Sequence, residues 1–253
     1  MLMKIIRELA VTSRCYKSGK KISPKGIMLH SVGCNQPDPW IFARLWGNSG
    51  DVCPHGVLGY DGTVIQTLPW YWRGWHAGGA ANNTHIGIEM CEPSTIKYTG
   101  AVTFTDCNPY ATRKFIQGTY NTAVELFAHL CAMYSLDPLE DGVIISHKEG
   151  CRRGIASNHG DVEHIWDKYG LSMDKFRLDV KAMMEGVNSE ESFLVRVSID
   201  DLEIYKSPED ISSGTGLFTG KGIYTILETK NNWGRLKSGV GWICLEGTDR
   251  MTT

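Results

Sequence analysis

Short apolar runs recur through the first two-thirds of the chain, and each closes on a polar residue or a turn signal. Lys25 to His30 reads as a short buried strand whose end delivers His30 to an edge. Asn35-Gln36-Pro37-Asp38-Pro39 then starts a helix carrying Trp40, Phe42, Leu45 and Trp46. Between Val57 and Gln66, Asp61-Gly62 stands between two apolar runs, a strong short-range hairpin signal. Ile86 to Met90 is another strand, with Glu89 between apolar neighbours, and Val143 to His147 is an apolar strand again ending in histidine. From Tyr120 to Leu136 the positions Ala123, Leu126, Phe127, Leu130, Met133 and Tyr134 fall at helical spacing, which predicts an amphipathic helix packed on a sheet. Strands interleaved with helices over residues 1–186 predict an α/β domain, a central mixed sheet flanked by helices.

The pattern changes after the helical stretch Met173 to Met184. Glu185 to Ser192 loses hydrophobicity, which predicts a linker at 187–192. Beyond it, Phe193–Val197, Leu202–Tyr205, Gly222–Leu227, Trp233–Leu236 and Gly241–Leu245 are short strands separated by turn residues, so residues 193–253 are expected to form a small all-β barrel. One stretch of the first domain, Ser94 to Phe115, is polar with few periodic apolar positions, and the sequence leaves it open between a lid and a surface loop.

Composition narrows the setting. Of 253 residues, 26 are Lys or Arg and 28 Asp or Glu, a formal charge of -2, which argues against a nucleic-acid binder. The segment Met1 to Glu8 meets charge at once and no apolar run reaches membrane-spanning length. The expectation is a protein made in the cytoplasm without a signal peptide and without membrane insertion. Eight cysteines are scattered with no CxxC pair, so reduced thiols are expected rather than a disulfide framework or a structural zinc cluster.

The chemistry-bearing residues cluster at the ends of the apolar runs. His30, His147 and Asp161 supply two imidazoles and a carboxylate, a set that holds a catalytic zinc and leaves a fourth position for water. Each has a plain structural alternative: a histidine at a strand end is also a common hydrogen-bonded core residue, and Glu89 alone could be a solvated carboxylate. Cys151 lies four residues after His147, a spacing that chelates only in a helix, and Gly150 and Gly154 predict a loop there. His55, His85, His129 and His164 are read as structural. The tryptophans at 40, 46, 70, 72 and 75 are read as core, with stacking on sugars as the alternative.

His30, the hairpin ending in Gly62-Thr63-Val64-Ile65-Gln66, Trp75-His76-Ala77-Gly78, Asn83-Thr84-His85-Ile86-Gly87-Ile88-Glu89, and Ser146-His147 through Asn158-His159-Gly160-Asp161 follow one another in an order that resembles a known family. These motifs are similar to those of zinc-dependent N-acetylmuramoyl-L-alanine amidases of type 2, relatives of phage lysozyme-amidases and peptidoglycan recognition proteins, over roughly residues 20–170. The resemblance implies cleavage of the amide between the lactyl group of N-acetylmuramic acid and the first L-alanine of the peptidoglycan stem peptide. It further implies one zinc ion on His30, His147 and Asp161, and Glu89 as general base toward the attacking water. His159 stands where many relatives carry a lysine that steadies the oxyanion, or else it supports a ligand; His76 and Asn83 are expected at the substrate, and the guanidinium groups of Arg152 and Arg153 could meet stem-peptide carboxylates or be solvated charge, Arg152 being taken as a substrate contact.

The tail from Ile223 through Trp233-Gly234-Arg235-Leu236 to Gly241-Trp242-Ile243 is similar to bacterial Src-homology-3-like (SH3-like) domains that hold wall hydrolases to peptidoglycan. The combination implies a phage or prophage endolysin, acting on the cell wall after release. A bacterial wall-turnover amidase and a muropeptide-binding module without activity are the alternatives, and the second is disfavoured because all three ligand positions are filled.

Overall fold

Two strands buried along nearly their whole length set the centre of the fold, as expected for parallel strands covered on both faces. They are β2 and β5 in the computed structural model, which describes residues 3–47, 52–185, 192–208, 210–230 and 232–251. In chain order the first part comprises β1 (Lys4–Arg7), α1 (Arg14–Lys17), β2 (Gly26–Ser31), α2 (Pro39–Gly47), β3 (Gly56–Leu58), β4 (Thr63–Gln66) and β5 (His85–Met90). There follow β6 (Ile96–Tyr98), β7 (Phe104–Asp106), α3 (Pro109–Tyr134), β8 (Ile144–Ser146), α4 (His147–Arg152), α5 (Glu163–Tyr169) and α6 (Met173–Met184).

Six strands form one mixed sheet in the order β1-β4-β3-β5-β2-β8. The pairs β2–β5, β2–β8, β3–β5 and β1–β4 are parallel, and β3–β4 is the antiparallel hairpin expected at Asp61-Gly62. In the β2–β5 register Ile27 faces Ile86, Leu29 faces Ile88 and His30 faces Glu89. Since side chains alternate across a strand, His30 and Glu89 leave the same face as neighbours, while Leu29 and Ile88 are buried on the other. Helix α2 packs Phe42, Ala43 and Trp46 against Val57 and Ile65 of the sheet.

Helix α3 is longer than the apolar spacing predicts, beginning at Pro109 rather than Tyr120. Its start is fixed by Asn108, whose side chain accepts from the Ala111 N–H, and by proline in the first turn. The polar stretch 94–115 is therefore not a structureless loop: it holds the antiparallel hairpin β6–β7 and the first turns of α3. Strand β8 stops one residue short of His147, which instead opens α4. There Ser146 and Glu149 form a reciprocal capping box. The Tyr120, Trp166 and Phe176 rings of α3, α5 and α6 pack together, with centroids 5.2–5.6 Å apart. Among the described residues no helix is long and apolar enough to cross a membrane.

By compactness the chain divides into Met1–Lys181 and Ala182–Thr253, within the last turn of α6 and a few residues before the boundary expected at 186. Most of the expected linker, residues 187–191, lies outside the described residues. The second unit contains β9 (Phe193–Val197), β10 (Leu202–Tyr205), β11 (Gly214–Thr219), β12 (Gly222–Lys230), β13 (Trp233–Leu236), β14 (Trp242–Cys244) and β15 (Asp249–Met251). All pairs are antiparallel, in the order β11-β10-β14-β13-β12-β9-β15. Val195, Val197, Ile204, Ile226, Leu236 and Ile243 form its core. The five expected strands are present with two more, β11 and β15, at the sheet edges, and among the described residues these edges do not pair. The unit is sheet-rich but is not a closed barrel.

Candidate metal centre

The parallel register sets His30 beside Glu89, β8 brings His147 in from the other side of β2, and the segment after α4 returns Asp161 to the same spot. His30 Nδ1 lies 2.9 Å from His147 Nδ1 and 3.4 Å from Asp161 Oδ2, and His147 Nδ1 is 3.7 Å from that same oxygen. A tetrahedral cation at about 2.0–2.2 Å from each donor sets donor separations of about 3.3–3.5 Å. The observed spacings bracket that range. All three residues are buried, and they are the group of His, Cys, Asp or Glu able to hold a metal among the described residues.

A donor atom needs a free lone pair as well as a position, and the hydrogen bonds behind each imidazole supply it. His76 Nε2 lies 3.1 Å from the His85 carbonyl and must donate to it, so His76 Nδ1 accepts from His30 Nε2–H at 2.9 Å. That fixes the proton of neutral His30 on Nε2 and directs the lone pair of Nδ1 into the centre. Ser157 Oγ donates to the Ala77 carbonyl and therefore accepts from His147 Nε2–H at 3.2 Å, leaving His147 Nδ1 free in the same way. The His76 ring can lie against β5 because residue 87 is glycine: a Cβ there would collide with it. Asn82 Oδ1 holds the loop, accepting from both the His76 and Ala77 N–H groups at 2.9 Å.

The electrostatics favour positive charge at this point. Burial pulls His30 down, but the hydrogen bond with Asp161 and the charges of Glu89 and Asp161 outweigh it and hold the imidazole above its ordinary value. Burial would raise Asp161, yet His30 keeps its carboxyl below the usual range. Burial, joined by the charge of His30, lowers His147 to about 4. Of the two imidazoles, His30 is thus the one that favours its charged form, beside a carboxylate held ionised. Glu89 is buried on the wall of the same cleft, where burial, with Asp161 and Glu92 adding to it, pushes its carboxyl up to about 7.

The other expected site residues fall differently. His159 is exposed on the cleft wall, with Nδ1 3.2 Å from His147 Nε2 and 3.1 Å from Ser157 Oγ, on the side of His147 away from the donor nitrogens. His76 borders the cleft, but both its ring nitrogens are engaged, so it positions His30 rather than offering a polar atom to substrate. Asn83 does not line the cleft; its side chain accepts from Arg73 Nε at 2.6 Å, and the inward-facing amide is that of Asn82. Arg152 is exposed in the last turn of α4, also outside the cleft. The expected loop at Cys151 is helical, yet its thiol points toward Asn158 Oδ1 at 3.9 Å and lies outside the donor group. His164, read as structural, lines the cleft. The cleft itself is an open space of about 380 Å³.

Residues 19–163 match the sequence pattern of the family described as N-acetylmuramoyl-L-alanine amidase (Amidase_2). Among solved structures, the chain is similar to the Staphylococcus aureus hydrolase AmiA in complex with its ligand, with a TM-score of 0.55 and 17% identity over 73% of this chain and 84% of that one. It is also similar to the catalytic domain of PlyG, with a TM-score of 0.52 and 17% identity over 72% of this chain and 96% of that one. At these identities the likeness speaks to the fold. No curated protein matches the chain.

Proposed function

Because the chain belongs to the N-acetylmuramoyl-L-alanine amidase family and is an amidase of that class, we propose that it uses one zinc ion, held by His30, His147 and Asp161, to cleave the bond between N-acetylmuramic acid and L-alanine in peptidoglycan. The observation that carries this reading is the convergence of two imidazole Nδ1 atoms and one carboxylate oxygen, 2.9–3.7 Å apart, with each imidazole's proton fixed on its far nitrogen. Zinc, when bound, supplies Lewis-acid polarisation of the scissile carbonyl and activation of a water molecule near neutral pH.

The protein's own groups do the rest. Glu89 accepts the proton that the attacking water loses and returns it to the alanine nitrogen as the amide breaks. A carboxyl lifted toward 7 by burial is suited to both transfers, although the charge of a bound cation draws it back down. His159 is read as the donor to the oxyanion that forms on the carbonyl, with support of the His147 ring, whose Nε2 lies 3.2 Å from His159 Nδ1, as its alternative role. His76 and Ser157 hold the ligand rings. The second unit, by its likeness to SH3-like wall-binding modules, tethers the enzyme to its insoluble substrate. An enzyme so built serves as an endolysin of phage or prophage origin that reaches the wall after release.

The test is digestion of purified cell walls by the zinc-loaded protein. New amino-terminal alanine without new reducing sugar is expected; new reducing ends would identify a glycosidase instead. Glu89→Gln is expected to keep its metal and lose turnover by about 10²- to 10⁴-fold. A variant that binds zinc and still turns over normally removes Glu89 from the role of base.

A further inference from the structure

All eight cysteines are free thiols, and two of them that are distant in sequence meet inside the first unit. Cys15 lies in α1 and Cys53 just ahead of β3, in a small buried cluster with Ala10 and Leu68. Their thiols are in hydrogen-bond contact. Ser13, the cap of α1, accepts from the Tyr16 N–H at 3.1 Å and turns its hydroxyl toward Cys53 Sγ at 3.7 Å. Cys15 Sγ also lies 3.2 Å from the Arg73 carbonyl. Neither cysteine lines the cleft.

A buried pair of thiols has three plain uses: packing, a metal, or a bond between them. Sulfur packs as a small apolar group, and a buried cysteine by itself needs no more than that. A metal would need further donors, and among the described residues no third His, Cys, Asp or Glu joins the pair. What packing leaves unexplained is the polar arrangement around Cys53, which meets both the Cys15 thiol and the Ser13 hydroxyl. Those hydrogen bonds, that of Cys15 foremost, hold Cys53 below the ordinary thiol value against burial, while Cys53 and burial together push Cys15 up. One sulfur favours the thiolate and its neighbour keeps its proton, the arrangement of a nucleophile beside a resolving thiol. Helix α1 is a single turn at the surface, with Arg14 and Lys17 exposed on either side of Cys15, so local opening admits a small oxidant.

We propose that Cys15 and Cys53 form a redox pair that closes to a disulfide under peroxide, fastening α1 to the segment ahead of β3. In the first step the Cys53 thiolate attacks a peroxide oxygen; an S–O bond forms, the O–O bond breaks, and hydroxide leaves to take up a proton as water. Cys15 Sγ then attacks Cys53 Sγ; the S–S bond forms, the S–O bond breaks, and the hydroxyl departs with the Cys15 proton as a second water. Two thiols lose two electrons, and one peroxide is reduced to two waters. The backbone of Cys53 is bonded both ways to Trp75 at 2.9 Å, and Trp75 precedes His76, so the disulfide ties the N-terminal segment to the loop that supports His30. Joining residues this far apart restricts the unfolded chain and raises stability. The pair lies outside the amidase chemistry and does not depend on it.

The test treats the full chain with hydrogen peroxide in slight excess, blocks the remaining thiols with N-ethylmaleimide and maps tryptic peptides without reduction. Trypsin places Cys15 in residues 15–17 and Cys53 in residues 45–73. The two peptides are expected joined, two hydrogens lighter than the separate pair, and parted by dithiothreitol. Thermal unfolding of the oxidised protein is expected about 5–15 °C above that of the reduced protein. That rise should be lost in Cys15→Ala and Cys53→Ala and kept in Cys34→Ala. Recovery of both peptides carrying maleimide, oxygenated Cys53 with Cys15 unlinked, or Cys53 joined to another cysteine overturns the proposal. A joined pair with no rise in Tm overturns it as well, since the bond would then fasten nothing. The peptide map and the Tm shift both need only the wild type, so poor folding of a variant leaves the outcome decidable.

Discussion

In the proposed zinc site, His30 is the ligand whose proton would compete with the metal. Its imidazole is held above its ordinary value because, against burial, Asp161 hydrogen-bonds it and Glu89 and Asp161 add negative charge. Metal binding must expel that proton, so affinity is full above the His30 pKa and falls as pH drops below it, by about tenfold per unit for one proton. Zinc titrations across pH should therefore show release of one proton per ion near the His30 titration. An affinity independent of pH between 5 and 8 would contradict a ligand that must shed a proton to bind the metal. The three candidate ligands are legible in the sequence because each closes an apolar run or follows one, and strand ends deliver residues to an edge. Their supports are not. Asn82 and Asn83 are adjacent and chemically identical, and only the backbone of the turn decides that Asn82 faces inward to the His76 and Ala77 N–H groups. His76 is likewise conspicuous in sequence, but nothing in its spacing says that both ring nitrogens are spent on His30 and His85.

At the scale of elements, β5 does two tasks: Glu89 lines the cleft, and Gly87 makes room for the ring that orients His30. Gly87→Ala should push His76 off the strand, free the His30 tautomer and weaken metal binding about 10- to 100-fold, while the sheet, buried through Ile86 and Ile88, stays assembled. Zinc affinity and far-ultraviolet circular dichroism measured together check this. Unchanged affinity would mean that His76 does not position the ligand. Strands β2, β5 and β8 are readable as apolar runs because both faces are covered, so no polar alternation dilutes the signal. The β6–β7 hairpin is hidden for the opposite reason: it has only buried Ile96 and Phe104 to mark it, and its remaining positions are polar or face solvent. Helix α4 is hidden by Gly150, which suggests a loop but lies close to Met28 and Ala156, where a larger residue would not fit. The edge strands β11 and β15 escape the same reading because most of their side chains are exposed.

For the whole molecule, the candidate catalytic groups all belong to the first unit, and the second contributes a separate sheet with its own core. If that sheet tethers the enzyme, removing residues 193–253 should leave cleavage of a soluble muramoyl-peptide and slow hydrolysis of insoluble walls on the order of 10²-fold, through lost local concentration. Equal loss on both substrates would show that the unit supports the fold of the first instead. The account depends most on what surrounds the metal, and X-ray absorption at the zinc edge of the purified full-length protein addresses that directly. The expected spectrum has nitrogen and oxygen neighbours at about 2.0–2.2 Å, with the outer-shell scattering of two imidazoles and no sulfur. A sulfur neighbour at about 2.3 Å, a third imidazole, or a protein that takes up no zinc would contradict a centre built from His30, His147 and Asp161.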